Sequence, residues 1–290
     1  MKTPELDVIR DPAAWQARCH ADRDAGVRIA LVPTMGYLHE GHASLLREAR
    51  RRADAGGRRG LAVASIFVNP TQFGPSEDLS RYPRDLEGDL ATCAAAGIDR
   101  VLAPSDPRAM FAPDHQTWVT VERASEGLCG ASRPGHFRGV ATVVAKLLNL
   151  TRPHVALFGE KDFQQLAVIR AMVRDLAFGV EIAGMPIVRD ADGLALSSRN
   201  RYLSPAERQA APTLHRVLAD SAQAIAAGAS IHSVLRKGRQ TVEGAGFILD
   251  YLEARHAETL APIASIREGP MRLLVAAKIG KTRLIDNIGV

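Results

Sequence analysis

Val27-Arg28-Ile29-Ala30-Leu31-Val32 runs directly into Pro33-Thr34-Met35-Gly36-Tyr37-Leu38-His39-Glu40-Gly41-His42. The first six residues read as a buried strand. Ala43 to Ala53 reads as a helix, with Leu45, Leu46 and Ala49 on one side and arginines elsewhere. Two histidines three residues apart therefore stand where a strand hands over to a helix. In a parallel α/β sheet that is the carboxyl edge, where ligands bind. The start of the helix offers unpaired backbone N–H groups and a partial positive charge, which suit a phosphate. Gly36 and Gly41 would let backbone approach a nucleotide closely, and the histidines could donate to phosphate oxygens as charge builds in a transition state. An ordinary turn carrying two surface histidines fits the same residues. Zinc fits them less well, because the spacing is not the i, i+4 of His-Glu-x-x-His and no Cys or third His lies near in sequence.

Outward from this stretch, strands and helices alternate. Leu61 to Val68 reads as a second buried strand, Asp85 to Ala96 as a helix, Arg100 to Ala103 as a short strand stopped by Pro104, and Gly139 to Leu150 as a buried helix. His154 to Phe158 reads as a strand, Phe163 to Leu176 as a helix capped by Asp162, and Val180 to Val188 as a strand. Such alternation, with strands apolar throughout, predicts a parallel sheet covered on both faces. Near residue 186 the pattern changes. Helical runs over 205–227 and 230–244 precede three extended stretches, Phe247 to Leu252, Arg272 to Lys278 and Thr282 to Ile288. The expected architecture is an α/β, Rossmann-like doubly wound parallel sheet over 1–186, followed by a smaller α+β domain over 187–290.

Hydrophobic residues make up 46% of the 290 and charged residues 24%, as in a soluble globular protein. No apolar stretch approaches the length of a bilayer span, and the first residues carry no apolar signal region, so cytoplasmic residence is expected. Cys19, Cys93 and Cys129 are scattered and odd in number, which argues against a disulfide framework. The net charge of +5 raises the possibility of nucleic acid. The basic residues are spread along the chain, however, with one modest cluster at Arg47, Arg50, Arg51, Arg52, Arg58 and Arg59. Part of it ends a helix, where positive charge complements the dipole, so no nucleic-acid partner is expected.

Three further segments carry polar chemistry. Asn69 and Gln72 follow the second strand; their amides could orient a hydroxy acid without adding charge, or simply cap a proline turn. Gly159-Glu160-Lys161-Asp162 ends a strand and opens a helix. Arginines outnumber lysines 31 to 6, so a lysine at a carboxyl edge stands out, and a compact cation there suits a transferring phosphate. Ser197-Ser198-Arg199 offers hydroxyls, backbone N–H groups and a guanidinium, all suited to phosphate, although a loop with a helix cap reads equally well. Asp85, Glu87 and Asp89 form an acidic stretch that could contribute to magnesium or could simply complement a helix N-terminus.

Taken together these segments resemble the pantothenate synthetase (pantoate–β-alanine ligase) family, within the His-x-Gly-His nucleotidylyltransferases. The matching motifs run in order along nearly the whole chain: Pro33-Thr34-Met35-Gly36, His39-Glu40-Gly41-His42, Ser65 to Pro70, Gln72-Phe73, Tyr82-Pro83-Arg84, Arg133 to Phe137, Phe158 to Asp162, Asp192-Gly193-Leu194, Ser197 to Asn200 and Asp286-Asn287. The resemblance implies ATP-dependent condensation of pantoate with β-alanine through a pantoyl adenylate, releasing pyrophosphate and AMP. It implies an ATP site formed by Met35, Gly36, Tyr37, Leu38, His39, Glu40, Gly41 and His42, completed by Gly159, Glu160, Lys161, Asp162, Val188, Leu196, Ser197, Ser198 and Arg199. His42, His39, Lys161, Ser197, Ser198 and Arg199 would serve catalysis, Gln72 and Gln165 would hold pantoate with Asn69 nearby, and Asp89 would be the magnesium ligand. A homodimer and a mobile C-terminal lid are implied as well. Tyr37 stands where a small residue is expected, Phe163 where a tyrosine is, and Leu196 where a methionine is. Two other classes share part of this pattern: a nucleotidylyltransferase acting on a phosphorylated acceptor, against which the neutral Gln72 and Gln165 argue, and a non-catalytic nucleotide- or RNA-binding protein.

Overall fold

The computed structural model describes residues 6–75 and 77–290. In chain order the elements are β1 (Asp7–Ile9), α1 (Pro12–Asp24), β2 (Ile29–Thr34), α2 (Glu40–Ala53), β3 (Leu61–Ile66), α3 (Leu86–Ala95), β4 (Arg100–Leu102), α4 (Leu128–Ser132) and α5 (His136–Thr151). There follow β5 (Val155–Gly159), α6 (Phe163–Asp175), β6 (Glu181–Met185), α7 (Pro205–Ala210), α8 (Thr213–Ala226), α9 (Ile231–Gly244), β7 (Ile248–His256), β8 (Met271–Ile279) and β9 (Thr282–Gly289). The chain divides into two compact units. The first holds the residues up to Arg123, Arg133–Gly159 and Val168–Met185; the second holds Ala124–Ser132, Glu160–Ala167 and Pro186–Val290. Two short segments that chain order alone assigns to the first unit thus go with the second, and the division passes through α6.

In the first unit β1 to β6 form one parallel sheet in the order β1-β4-β3-β2-β5-β6. The order reverses between β2 and β5, the switch point at which such sheets bind ligands. Both faces are covered. Ala30 and Val32 of β2 pack with Leu45, Leu46 and Ala49 of α2, with Ala62 and Ala64 of β3 and with Cys93 of α3. The alternate residues Ile29 and Leu31 point to the opposite face and are equally buried. Five of the six arginines of the cluster are ion-paired: Arg50 with Asp54 and Asp99, Arg51 and Arg52 with Glu48, Arg59 with Asp99, and Arg47 with Glu40.

In the second unit β7, β8 and β9 form an antiparallel sheet, and α8 and α9 pack on it around Leu218, Ile225, Val242, Leu252 and Leu273. The helix expected over 205–227 is two helices, because Pro212 has no N–H to continue the ladder and α8 restarts at Thr213. β1 and α1 were not expected. The side chain of Asp11 caps α1 by accepting from Ala13 and Ala14 N–H, and Pro12 opens the helix.

Candidate active site

β2 ends in a turn built for close approach. Gly36 lies at φ +84°, and a Cβ there would sit 2.8 Å from Asp89 Oδ2 and 3.1 Å from Ile66 Cγ2. Tyr37 follows at φ +53°, a strained value for a residue with a Cβ. Asp89 holds it there: Oδ2 accepts from Tyr37 N–H at 2.8 Å and Oδ1 from Leu38 N–H at 2.6 Å. The carboxyl is 3% exposed. Burial pushes its pKa above the ordinary carboxylate value, against the two amide bonds that pull it down.

α2 begins at Glu40 rather than at Ala43, because the histidines cap it. His39 Nδ1 accepts from Gly41 N–H at 3.1 Å, and His42 Nδ1 accepts in turn from His39 N–H at 3.3 Å. Their ring centroids lie 4.1 Å apart. A backbone N–H can only donate, so both Nδ1 atoms are acceptors and both neutral rings carry their proton on Nε2. Two imidazole N–H donors therefore stand at a helix N-terminus. The Glu40 carboxylate pairs with Arg47 on the surface.

The amides after β3 form a chain. Asn69 Nδ2 donates to Gln72 Oε1 (3.0 Å) and to the Gly139 carbonyl (3.2 Å), and its Oδ1 accepts from Thr71 N–H and Oγ1. Asn69 is fully used inside the protein, so it orients Gln72 rather than facing a ligand. Gln72 Nε2 donates to Met35 Sδ at 3.1 Å, and the second Nε2 hydrogen has no protein acceptor among the described residues. The turn rests on α5, where a Cβ on Gly139 would lie 2.3 Å from the Thr71 carbonyl oxygen. A second chain reaches the Gln72 backbone. Glu77 grips Arg133 with both oxygens (2.6 and 2.7 Å), Arg133 Nη1 donates to His136 Nε2 (3.0 Å), and His136 Nδ1–H donates to the Gln72 carbonyl (2.8 Å). The Arg133 to Phe137 motif was legible in the sequence; its supporting role was not, because Glu77 is remote in the chain.

Among the residues of the second unit, Glu160, Lys161 and Asp162 form a 3₁₀ turn leading into α6, so Asp162 lies within the turn. The Lys161 side chain makes no ion pair among the described residues. Gln164 is buried and latches the 124–129 segment, accepting from Cys129 N–H and donating to the carbonyls of Ala124, Glu126 and Gly127. Gln165, one residue on, is half-buried, and no described residue bonds its amide. Leu196 N–H bonds the Val188 carbonyl at 3.0 Å, closing a small turn. Ser197 Oγ then accepts from Arg199 N–H and opens a 3₁₀ turn holding the buried Ser198.

The expected residues thus fall into two sets. Met35 to His42, Asn69, Gln72 and Asp89 belong to the first unit, with Gly159 its last residue on β5. Glu160, Lys161, Asp162, Gln165, Val188, Leu196, Ser197, Ser198 and Arg199 belong to the second.

The pantoate-beta-alanine ligase family model matches residues 7–289. The chain belongs to that family. Among its relatives, the pantothenate synthetase of Anaeromyxobacter dehalogenans is 74% identical over 288 residues, covering 99% of each chain. The crystal structure of pantothenate synthetase from Thermus thermophilus superposes with a TM-score of 0.88 at 45% identity, covering 97% of this chain and 98% of that one. Pantoate-beta-alanine ligase from Francisella tularensis, solved as a complex with beta-gamma ATP and β-alanine, superposes with a TM-score of 0.80 at 29% identity, covering 98% of this chain and 97% of that one.

Asp89 is the residue that the resemblance implies as a magnesium ligand. Each Asp89 oxygen accepts from one backbone N–H, so the carboxylate clamps the turn after β2, and the described residues hold no cluster of three or more His, Cys, Asp or Glu around it. No helix in the described structure is long and apolar enough to cross a membrane.

Proposed function

We propose that this chain condenses pantoate with β-alanine to give pantothenate, with ATP converted to AMP and pyrophosphate. In the first step a pantoate carboxylate oxygen attacks the α-phosphorus of ATP; the new P–O bond forms as pyrophosphate leaves. In the second the neutral β-alanine amine attacks the acyl carbon of pantoyl adenylate, the C–N bond forms as the nitrogen gives up a proton to solvent, and AMP departs with the electron pair of the broken C–O bond. Neither step needs a protein nucleophile. Alignment of the carboxylate and donors on the phosphate oxygens supply the acceleration.

The observation that carries this reading is the reciprocal histidine cap. It presents two Nε2–H donors at the start of α2, at the carboxyl edge of the strand beside the switch point. In the proposal His42 and His39 donate to the phosphates, and Met35 to Gly41 provide close backbone contact with the nucleotide. Gln72 binds pantoate through its spare amide hydrogen while Asn69 holds its angle. Gln165 contributes a second neutral amide, which suits a hydroxy acid better than a phosphorylated acceptor. Lys161, Ser197, Ser198 and Arg199 neutralise phosphate charge, with Gly159 to Asp162, Val188 and Leu196 completing the nucleotide contacts. Residues 187–290 act as the domain that shields the adenylate from water. Magnesium arrives with the ATP phosphates, while Asp89 holds the Tyr37 and Leu38 amides. Cytoplasmic residence fits a reaction that consumes ATP. A homodimer is proposed, checked by sedimentation at twice the 31.2 kDa chain mass.

The test is pyrophosphate release from ATP and magnesium, with and without pantoate and β-alanine. The expected result is release that depends on pantoate, followed by AMP and pantothenate that depend on β-alanine. No pantoate-dependent release would overturn the reading.

A further inference from the structure

Asp286 and Asn287 of β9 take no part in the chemistry above, yet they are 5% and 2% exposed in the middle of a strand where apolar residues would pack better. Their bonds go to two places. Asp286 holds the Arg189 guanidinium with both oxygens, at 2.6 and 2.9 Å, and Arg189 also donates to the Gly193 carbonyl at 3.1 Å. That braces the turn from Val188 to Leu196, which leads straight into Ser197. Asn287 Nδ2 gives one hydrogen to the Glu160 carbonyl (2.9 Å) and the other to the Lys161 carbonyl (3.0 Å). Its own Oδ1 is buried with no partner. A buried, unsatisfied acceptor is costly, so the amide is there for its two donors. The same 3₁₀ turn is gripped a second time, by Arg272 of β8, which bonds the Glu160 carboxylate at 3.0 Å and lies 4.0 Å over the Phe163 ring.

We propose that Asp286 and Asn287 are positioning residues that tie both phosphate-handling segments of the second unit to one rigid strand. Asn287 sets the backbone from which Lys161 projects. Asp286, through Arg189, sets the approach to Ser197, Ser198 and Arg199. The inference rests on the function proposed above. Two adjacent residues on a strand are a fixed distance apart, so the lysine and the serine–arginine turn are held in register through the strand. Charge stabilisation of a pentavalent phosphorus depends on such fixed placement, since a shift near 1 Å can cost about 10²-fold in rate.

The experiment compares wild type, Asn287→Leu, Asn287→Ser, Lys161→Ala and the Lys161→Ala/Asn287→Leu double variant. Each is checked for folding by circular dichroism, and then kcat and KM are measured for pantoate-dependent pyrophosphate release. Asn287→Leu is expected to lose roughly 10²-fold in kcat with the pantoate KM unchanged, and Asn287→Ser, which keeps one donor, to lose less. Added to Lys161→Ala, the Asn287→Leu change should slow the reaction less than about twofold further, because its effect runs through Lys161. Full activity in Asn287→Leu, or in Asn287→Ser if the leucine variant does not fold, would overturn the proposal. So would losses that multiply in the double variant, as a general structural defect would give. Amide hydrogen exchange at 160–163 reads the tether without turnover and should quicken in either Asn287 variant; unchanged exchange also overturns it. A wild type that releases no pyrophosphate while exchange responds would remove the proposed function and leave the tether standing.

Discussion

Replacing Asp89 by Asn tests whether that carboxylate is a backbone clamp or a metal ligand. The wild-type side chain accepts from two successive amides, Tyr37 at 2.8 Å and Leu38 at 2.6 Å, with almost no solvent access. Asparagine offers one oxygen and one NH₂. One bond survives without its charge, and the other becomes an N–H facing an N–H. Bonds to charged groups contribute about 1.5–3 kcal/mol and a stranded buried donor costs about 1–3 kcal/mol, so the change should cost about 2–4 kcal/mol. For a chain of this size that lowers Tm by roughly 5–10 °C. The clamp also keeps Tyr37 at φ +53°, a backbone setting that relaxes once the bonds are lost, and the histidine cap follows two residues later. Pyrophosphate release should fall by about 10²-fold. The assays are thermal unfolding without metal and pyrophosphate release across a magnesium series. A variant with unchanged Tm but a raised magnesium requirement would refute the clamp and restore the metal-ligand assignment. The pH dependence offers a second check. Burial raises the native pKa of Asp89, so its contribution to stability is largest below the ordinary carboxylate value and is lost as pH rises through the raised one; Asp89→Asn should remove that slope.

Two further outcomes follow from single contacts. Gly139→Ala would place a Cβ 2.3 Å from the Thr71 carbonyl oxygen, and α5 and the Asn69–Gln72 turn must separate. A loss of about 1–3 kcal/mol by urea unfolding is expected, together with a raised pantoate KM; a wild-type KM would show that the turn's seat on α5 does not set Gln72. The hydrogen bonds of Arg51 and Arg52 depress the Glu48 carboxyl from 4.5 to about 2 against the effect of burial. The pair therefore stabilises the fold above about pH 4.5, and that contribution is lost as pH falls toward 2. Glu48→Gln should cost about 1 kcal/mol at neutral pH, since Arg51 faces solvent, and the deficit should close on acidification. A deficit that stays constant from neutral pH to pH 3 would rule the ion pair out as its cause.

Periodicity and punctuation in the chain carried the architecture a long way. Apolar runs such as Leu61 to Ile66 are buried on both faces, which is why they announce a parallel sheet. α1 escaped notice because only Trp15 and Cys19 of its thirteen residues are buried, too thin a stripe to stand out, although Asp11-Pro12 was a readable start signal. Strand order was not legible either. β1 lies beside β4 some ninety residues away, through pairings such as Val8 with Val101 that leave no trace in local pattern.

At the site, the chain by itself determined which residue types stand at which strand ends: the histidines after β2, the amides after β3, the lysine after β5. Those placements follow from covalent order and from strand and helix periods, which are local properties. Only the tertiary structure decided what each side chain is used for. Asp89 spends its charge on two amides more than fifty residues back in the chain, Asn69 turns inward to Gln72, and Gln164 latches a loop while Gln165 does not. A polar side chain's role is set by which donors and acceptors fold against it, and those partners are brought together by packing rather than by sequence order.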